Sequence, residues 1–586
     1  MNPIRHLSNV PRSLLIACFM MFVLLAVRIV TTAAPIMASD EYAYFATAKF
    51  STEAGSVFAF DPGMQAVGNR IYPLLYRGWD YLGDGHAASV GRLFNALLFV
   101  LGAFVLFPMF SRIFDRRAAL QSALLYLLMP FAFYATTLLP EVEFQISVYL
   151  AVLVVVLAGP RPSYQSIVVA AALSALSYFI KPHAAALIGA TAVYMLATGW
   201  LQREKSRSER LMLSISRSAL YVASSAILIL LITKLVPAGP AAGGEVVASF
   251  YRSYIDRIFD VHYILSNLAG FADYFAGHLW LLLALFAPGL WFVLTAGGRL
   301  LVSCFGPARS APSEEGSASA YFAMYVLLLL LAFLAMIAVF TNVAGAVSDF
   351  EKYRLHGRYL APILPLLLGC SVWAVNQFRG RVAPALGLIA LVTFVLLGRG
   401  LYKLFPWDYP EAFGLFGPSL RYWGFQGAAS WAVWVILLAG IVGYGLKVAR
   451  PRISSGYMAF LAIAMISSNL QMWRWVDYHV EANKSAVAAA DAIESYLGDA
   501  PAGTGLVLTL DRYGRAPYLL MGLDHPQFVR TTSQGATISA AEIPPGTRWI
   551  VAPIDAQLVI PGASEGTFGD QRLYLIKPTE APGPGG

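Results

Sequence analysis

The sequence predicts an α-helical polytopic membrane protein that ends in a small α/β domain. Three observations carry that expectation. The chain is 58% hydrophobic and only 13% charged, about half the roughly 25% charge of soluble domains. Its apolar residues recur in runs of roughly 20, the length that takes a helix across about 30 Å of hydrocarbon. Strand-like runs are confined to the last part of the chain, after the apolar runs have ended.

In chain order the apolar runs lie at 13–34, 88–110, 118–138, 142–158, 166–180, 184–200, 218–236, 276–297, 321–341, 358–376, 383–400, 429–447 and 456–473. Lipid offers the backbone no hydrogen-bond partners, so each run is expected to be a helix. The first exceeds the roughly 7–15 apolar residues of a signal peptide and reads as a retained span. The fifth and sixth are short and are split by Lys181-Pro182-His183. Counting each run as one crossing gives about thirteen transmembrane helices in a domain over 1–473.

Residues 474–586 read as a second unit. It begins with the interfacial-looking Trp473-Arg474-Trp475, has helical spacing from Val480 to Leu497, and carries strand-like runs at Gly505–Leu510, Trp549–Ala552 and Leu573–Lys577. A Pro/Gly-rich, disordered end is expected to follow. Cys18, Cys304 and Cys370 are far apart and lack metal-ligand spacing, so neither a disulfide nor a metal site is inferred from them.

The net charge of +8 does not indicate a nucleic-acid partner. The basic residues crowd short connectors, at Arg112, Arg116 and Arg117, at Arg203 to Arg217, at Arg379 and Arg381, and at Lys447 to Arg452. Such clusters mark the cytoplasmic side. The N-terminus is then cytoplasmic and the C-terminal domain extracytoplasmic. The large first loop over 35–87 also falls outside, on a plasma or inner membrane.

Chemistry-bearing residues gather on that outer side. Asp40-Glu41 follows the first span directly, and a carboxylate there can act as general base or metal ligand. Glu141 and Glu143 sit in a very short connector that holds them at membrane depth, where ionisable groups are costly unless paired or functional. A helix N-terminus also favours such acids. Lys181-Pro182-His183 and the stretch holding His356 and Arg358 place cations against the positive-inside tendency. Arg358 is the best phosphate clamp, because its planar fork contacts two oxygens at once. Pairing of Arg358 with Glu141 or Glu143 is the structural alternative.

These residues, in this order, resemble the GT-C superfamily of polytopic glycosyltransferases. The nearest branches are the protein O-mannosyltransferases, the aminoarabinose transferases and the polyprenyl-phosphate arabinosyl or mannosyl transferases. The resemblance rests on Asp40-Glu41 after the first span, Tyr72-Pro73, Asn95, Pro140-Glu141-x-x-Phe144, Lys181-Pro182 and Gly357-Arg358-Tyr359-Leu360-x-Pro362.

It implies that Asp40 is the catalytic base and that Glu41 assists it or coordinates a metal. Glu141 and Glu143 would shape the acceptor or metal site, with the choice between them open. Lys181 and Arg358 would hold the donor phosphate. His183 and His356 are grouped with those cations, although the resemblance assigns no role to the His183 imidazole. A divalent metal on Asp40, Glu41 and Glu141 is the one cofactor it suggests. The implied donor is a polyprenyl-phosphate-linked sugar, hexosyl or pentosyl, transferred with inversion to an envelope glycan, glycolipid or protein. A transporter or flippase of lipid-linked saccharides is the competing reading. It would place ionisable residues near the midplane, where these runs carry few.

Overall fold

The computed structural model describes residues 10–32, 41, 72–83, 86–235, 257, 260–305, 314–345, 357–377, 454–498, 504–509, 527–531, 547–556 and 563–576, with single positions at 519, 523, 533 and 543. Among the described residues, those up to 498 are almost all helical. The first helices are α1 (Arg12–Thr31), α2 (Tyr72–Gly83), α3 (Ala87–Ile113), α4 (Arg116–Leu127), α5 (Glu141–Ala158), α6 (Tyr164–Ile180), α7 (Ala185–Trp200) and α8 (Arg207–Leu235). The short α9 (Val261–Ser266) precedes α10 (Leu268–Phe292), which runs through a π-helical turn at Val293–Gly297 into α11 (Gly298–Val302). Next come α12 (Glu314–Gly345), α13 (Leu364–Gln377), α14 (Ser454–Ala482) and α15 (Lys484–Leu497).

Among the described residues, six helices are long and apolar enough to cross a membrane, and one bent pair adds a seventh. The sequence count of about thirteen is therefore met only in part. The runs at 383–400 and 429–447 lie outside the described residues. Those at 166–180, 184–200 and 358–376 form helices of 17, 16 and 14 residues. At 1.5 Å per residue these span roughly 20–25 Å, at or below the lower end of the length that crosses a bilayer.

The run at 118–138, expected as one helix, is broken. Asp115 caps the start of α4 by accepting from Ala118 N at 2.9 Å. After Leu127 the chain turns by 53° into a 3-10 helix over Pro130–Thr136. Pro130 has no N–H to continue the earlier ladder, and its fixed φ suits the start of a new turn. The break carries the chain into a fully buried connector at 137–140, on which the candidate site is built.

α3 is the central post, packing against α1, α2, α4 and α5. At Gly102 a Cβ would lie 2.3 Å from the Tyr126 hydroxyl. The missing side chain lets that hydroxyl approach and donate to Phe99 O at 3.0 Å, while the Tyr126 ring stacks on Phe99.

α14 runs through the expected junction at 473/474 and ends at Ala482. Beside that junction Arg28 of α1 bonds the Asp477 carboxylate and Trp473 O. Beyond α15 lies a five-stranded sheet in the order β2-β1-β3-β5-β4: β1 (Thr504–Thr509), β2 (Gln527–Thr531), β3 (Thr547–Pro553), β4 (Ala563–Phe568) and β5 (Gln571–Ile576). The first three strands pair in parallel, and β5 and β4 add antiparallel. Ala486, Ala489, Ala490 and Ile493 recur at helical spacing and pack α15 onto Val507, Trp549, Val551 and Leu573.

Candidate active site

The connector at 137–140 is irregular backbone buried inside the bundle, so its polar groups need side-chain partners. Asn95 on α3 donates from Nδ2 to Thr137 O at 2.9 Å and to Leu139 O at 3.4 Å. Glu41 accepts from Leu138 N at 2.5 Å. Its other oxygen takes a hydrogen bond from Arg92 Nη2 at 3.3 Å. Arg92 and Asn95 stand three residues apart and so share one face of α3. That face, with Glu41, fixes the connector and thereby the start of α5.

α5 opens with Glu141, and α6 closes beside it. Pro182 disfavours helical backbone at Lys181, whose φ and ψ are −146° and 127°. The Lys181 ammonium donates to Glu141 Oε1 at 2.5 Å, and both side chains are almost fully buried. An ammonium has three N–H donors, so this pair leaves two for other acceptors. Glu143, on the same first turn, lies within electrostatic reach of Glu141 and Lys181, with the Asn95 amide alongside. Among the described residues no hydrogen bond of good geometry reaches its buried oxygens.

Tyr359 organises the cations. It belongs to the 3-10 turn Gly357–Leu360, and Tyr149 of α5 holds the next residue by donating to Ala361 O at 3.4 Å. The His183 ring stacks on the Tyr359 ring at 4.3 Å and 22°. Lys181 Nζ and Arg358 Cζ stand 5.7 and 5.3 Å from the same ring centroid, within cation–π range. Phe340 of α12 closes against Tyr359 and His183 at 5.3 and 6.2 Å. Among the described residues neither buried ring nitrogen of His183 has a partner.

Six of the eight residues expected at the site are therefore placed, and Asp40 and His356 lie outside the described residues. The structure brings Lys181, His183 and Arg358 together round one tyrosine. It pairs Glu141 with Lys181. Of the candidate metal set, Glu41 is engaged by Arg92 and Leu138 N, and Glu141 by Lys181. Asp40, the third member, lies outside the described residues, and among the described residues no three His, Cys, Asp or Glu side chains group as metal ligands. Sequence reading missed Arg92. Its signal was a lone cation inside an apolar run, one turn before Asn95.

A cation cluster thus stands beside buried carboxylates in an apolar helical bundle. Residues 75–229 match the model described as dolichyl-phosphate-mannose-protein mannosyltransferase, a stretch that contains Arg92, Asn95, Glu141, Glu143, Lys181 and His183. The likeness to GT-C glycosyltransferases read from the sequence is thus found independently.

Among solved structures, the chain is similar to ArnT from Cupriavidus metallidurans bound to undecaprenyl phosphate. The two are 15% identical with a TM-score of 0.51, over 95% of this chain and 97% of that one. This is a likeness of fold. The apo state of ArnT gives 15% identity and 0.49 over the same shares. The oligosaccharyltransferase AglB from Archaeoglobus fulgidus, in complex with an inhibitory peptide and a dolichol phosphate, gives 11% and 0.42 over 92% of this chain and 69% of that one. No curated protein sequence matches the chain significantly.

Proposed function

We propose that the protein transfers a sugar from a polyprenyl-phosphate donor to an acceptor hydroxyl of an envelope glycan, glycolipid or protein, on the outer face of the membrane. The observation that carries this reading is the convergence of Lys181, His183 and Arg358 on Tyr359, next to Glu141 and Glu143. Two segments distant in sequence, the turn at 181–183 and the turn at 357–360, supply nitrogen groups to one place, and a phosphate monoanion or dianion is the group they suit.

In this reaction the acceptor hydroxyl attacks the anomeric carbon, and its proton passes to the Asp40 carboxylate. The bond from that carbon to the phosphate oxygen breaks, and the polyprenyl phosphate leaves with the electron pair. Lys181 and Arg358 stabilise the charge that develops on it, the usual task of preorganised cations at a transition state. A single displacement inverts the anomeric centre. Glu41, held by Arg92, positions the connector in front of α5 and does not take the proton itself.

The test compares envelope glycans of cells lacking the protein after complementation with wild type or with Asp40→Asn. Loss of one sugar from a defined glycan, restored by wild type alone at equal protein levels, supports the reading. Equal restoration by Asp40→Asn would remove Asp40 from the chemistry.

A further inference from the structure

The end of the bundle opposite the candidate site carries a second cationic centre. α5 leaves the site at Glu141 and ends at Ala158, roughly 27 Å away along its axis. α6 returns from Tyr164, and α7 descends again to Trp200, so 159–163 and 200–206 both lie at this far end. Side chains knit these loops together. Gln202 Nε2 and Arg217 Nη1 donate to Pro160 O at 3.2 and 3.4 Å. Trp200 Nε1 donates to Cys304 O at 2.7 Å, and Arg203 Nη2 to Ser303 O at 3.4 Å. The Arg210 guanidinium lies 5.2 Å from the Trp200 ring centroid.

Among the described side chains at this end, cations outnumber carboxylates. Glu204 pairs with Arg161 at 2.8 Å, and Glu209 is engaged in the helix cap by accepting from Ser206 N at 2.8 Å. Arg203, Lys205, Arg207, Arg210 and Arg217 then have no carboxylate partner among the described residues. Arg203 Nη1, Arg210 Nε and the hydroxyl of Ser214 are buried atoms with no hydrogen-bond partner among the described residues. Buried N–H groups are rarely left unpaired, and charged ones cost the most. An acceptor from outside the protein would satisfy them. Immediately beyond Arg207 and Arg210 on α8, Leu211, Met212 and Ile215 are about half or more exposed, which gives an acyl chain a surface continuous with the cations.

We propose that this end of the bundle binds the phosphate headgroup of an anionic phospholipid, held by Arg203 and Arg210, with its acyl chain along Leu211, Met212 and Ile215. Juxtamembrane basic clusters attract anionic lipid in proportion to their charge. Here the buried unpartnered N–H groups add a directional component that diffuse attraction lacks. The site is independent of sugar transfer and stands or falls separately from it.

The full-length protein, purified and stripped of lipid, is titrated with phosphatidylglycerol, with phosphatidylcholine, or with inorganic phosphate. Tm and bound lipid by native mass spectrometry are read. The expected result is a rise in Tm with phosphatidylglycerol alone, reduced by salt. Arg203→Gln with Arg210→Gln keeps its Tm in phosphatidylcholine but binds phosphatidylglycerol roughly tenfold or more weakly. An equal rise with phosphatidylcholine, or unchanged phosphatidylglycerol binding by that variant, overturns the proposal. Inorganic phosphate reproducing the whole rise would assign the site to a free anion and overturn the lipid. Should that variant fail to fold, Lys205→Gln with Arg207→Gln at exposed positions replaces it. It is expected to weaken phosphatidylglycerol binding several-fold, and no change would overturn the proposal equally.

Discussion

Lys181 and Glu141 join the last turn of α6 to the first turn of α5 through a buried ion pair, Nζ to Oε1 at 2.5 Å. Removing one member leaves the other charge buried and uncompensated, which costs about 3–5 kcal/mol. Lys181→Met and Glu141→Gln are each expected to destabilise by that order, and the double substitution by clearly less than the two together. A double-mutant cycle on thermal unfolding in detergent checks this. Additive effects would show that the pair is not coupled.

Glu41 separates two roles that activity alone confuses. Its carboxylate both neutralises Arg92 and accepts from Leu138 N. As a positioning residue, Glu41→Gln keeps an acceptor but removes the negative charge beside Arg92, so it lowers stability. Adding Arg92→Met then recovers part of the stability and part of the turnover per folded molecule. A base that takes the acceptor proton would behave otherwise, with kcat lost, Tm unchanged and no recovery from the second substitution. Measuring Tm and kcat on the same three samples distinguishes the two.

How much of this was legible in the sequence depends on where each residue sits. Strands β1, β3 and β5 were visible because they are the inner strands of the sheet and carry apolar runs. β2 and β4 are its two edges, and Gln527–Thr531 and Ala563–Phe568 hold too few apolar residues to stand out. An edge strand has less to bury, so its pattern is weaker. The broken helix at Pro130 was hidden because apolar character continues across the bend while only the backbone changes direction. At the site, Glu141 and Lys181 each stood out as ionisable groups at the ends of apolar runs. Their pairing required the α5–α6 hairpin, which puts the start of one helix beside the end of the other. Arg92 was lost because one cation barely alters the apolar average of a 27-residue helix.

Arg358 tests the donor end of the proposed reaction. Its guanidinium stands 5.3 Å from the Tyr359 ring centroid, and a planar fork can engage two phosphate oxygens where an ammonium engages one point. Hydrogen bonds to charged groups contribute about 1.5–3 kcal/mol. Arg358→Ala is therefore expected to raise KM for the polyprenyl-phosphate sugar roughly tenfold to a hundredfold. Arg358→Lys should recover only part of that. Steady-state kinetics at varied donor and fixed acceptor is the measurement. An unchanged donor KM in both variants would take Arg358 out of donor binding.

His183 poses the sharpest choice, because its ring does one thing by shape and another by its nitrogens. The ring stacks on Tyr359 at 4.3 Å, while among the described residues both buried nitrogens lack partners. If the imidazole only fills space, His183→Phe keeps the stack and removes two unsatisfied polar atoms. The protein should then gain stability with unchanged turnover, since burying an unpaired polar group is unfavourable. If the nitrogens meet the donor, His183→Phe keeps Tm and loses donor affinity. His183→Asn, which keeps a donor and an acceptor on a shorter arm, then recovers some affinity at the expense of the stack. We expect the second pattern. Lys181 and Arg358 stand on the same tyrosine, so an anion drawn to those cations lies beside the His183 nitrogens. Burial first, and then the repulsion of the two flanking cations, hold this imidazole neutral, so it offers one N–H to a phosphate oxygen and one lone pair to a sugar hydroxyl. A gain in Tm for His183→Phe with full donor affinity would return His183 to the core.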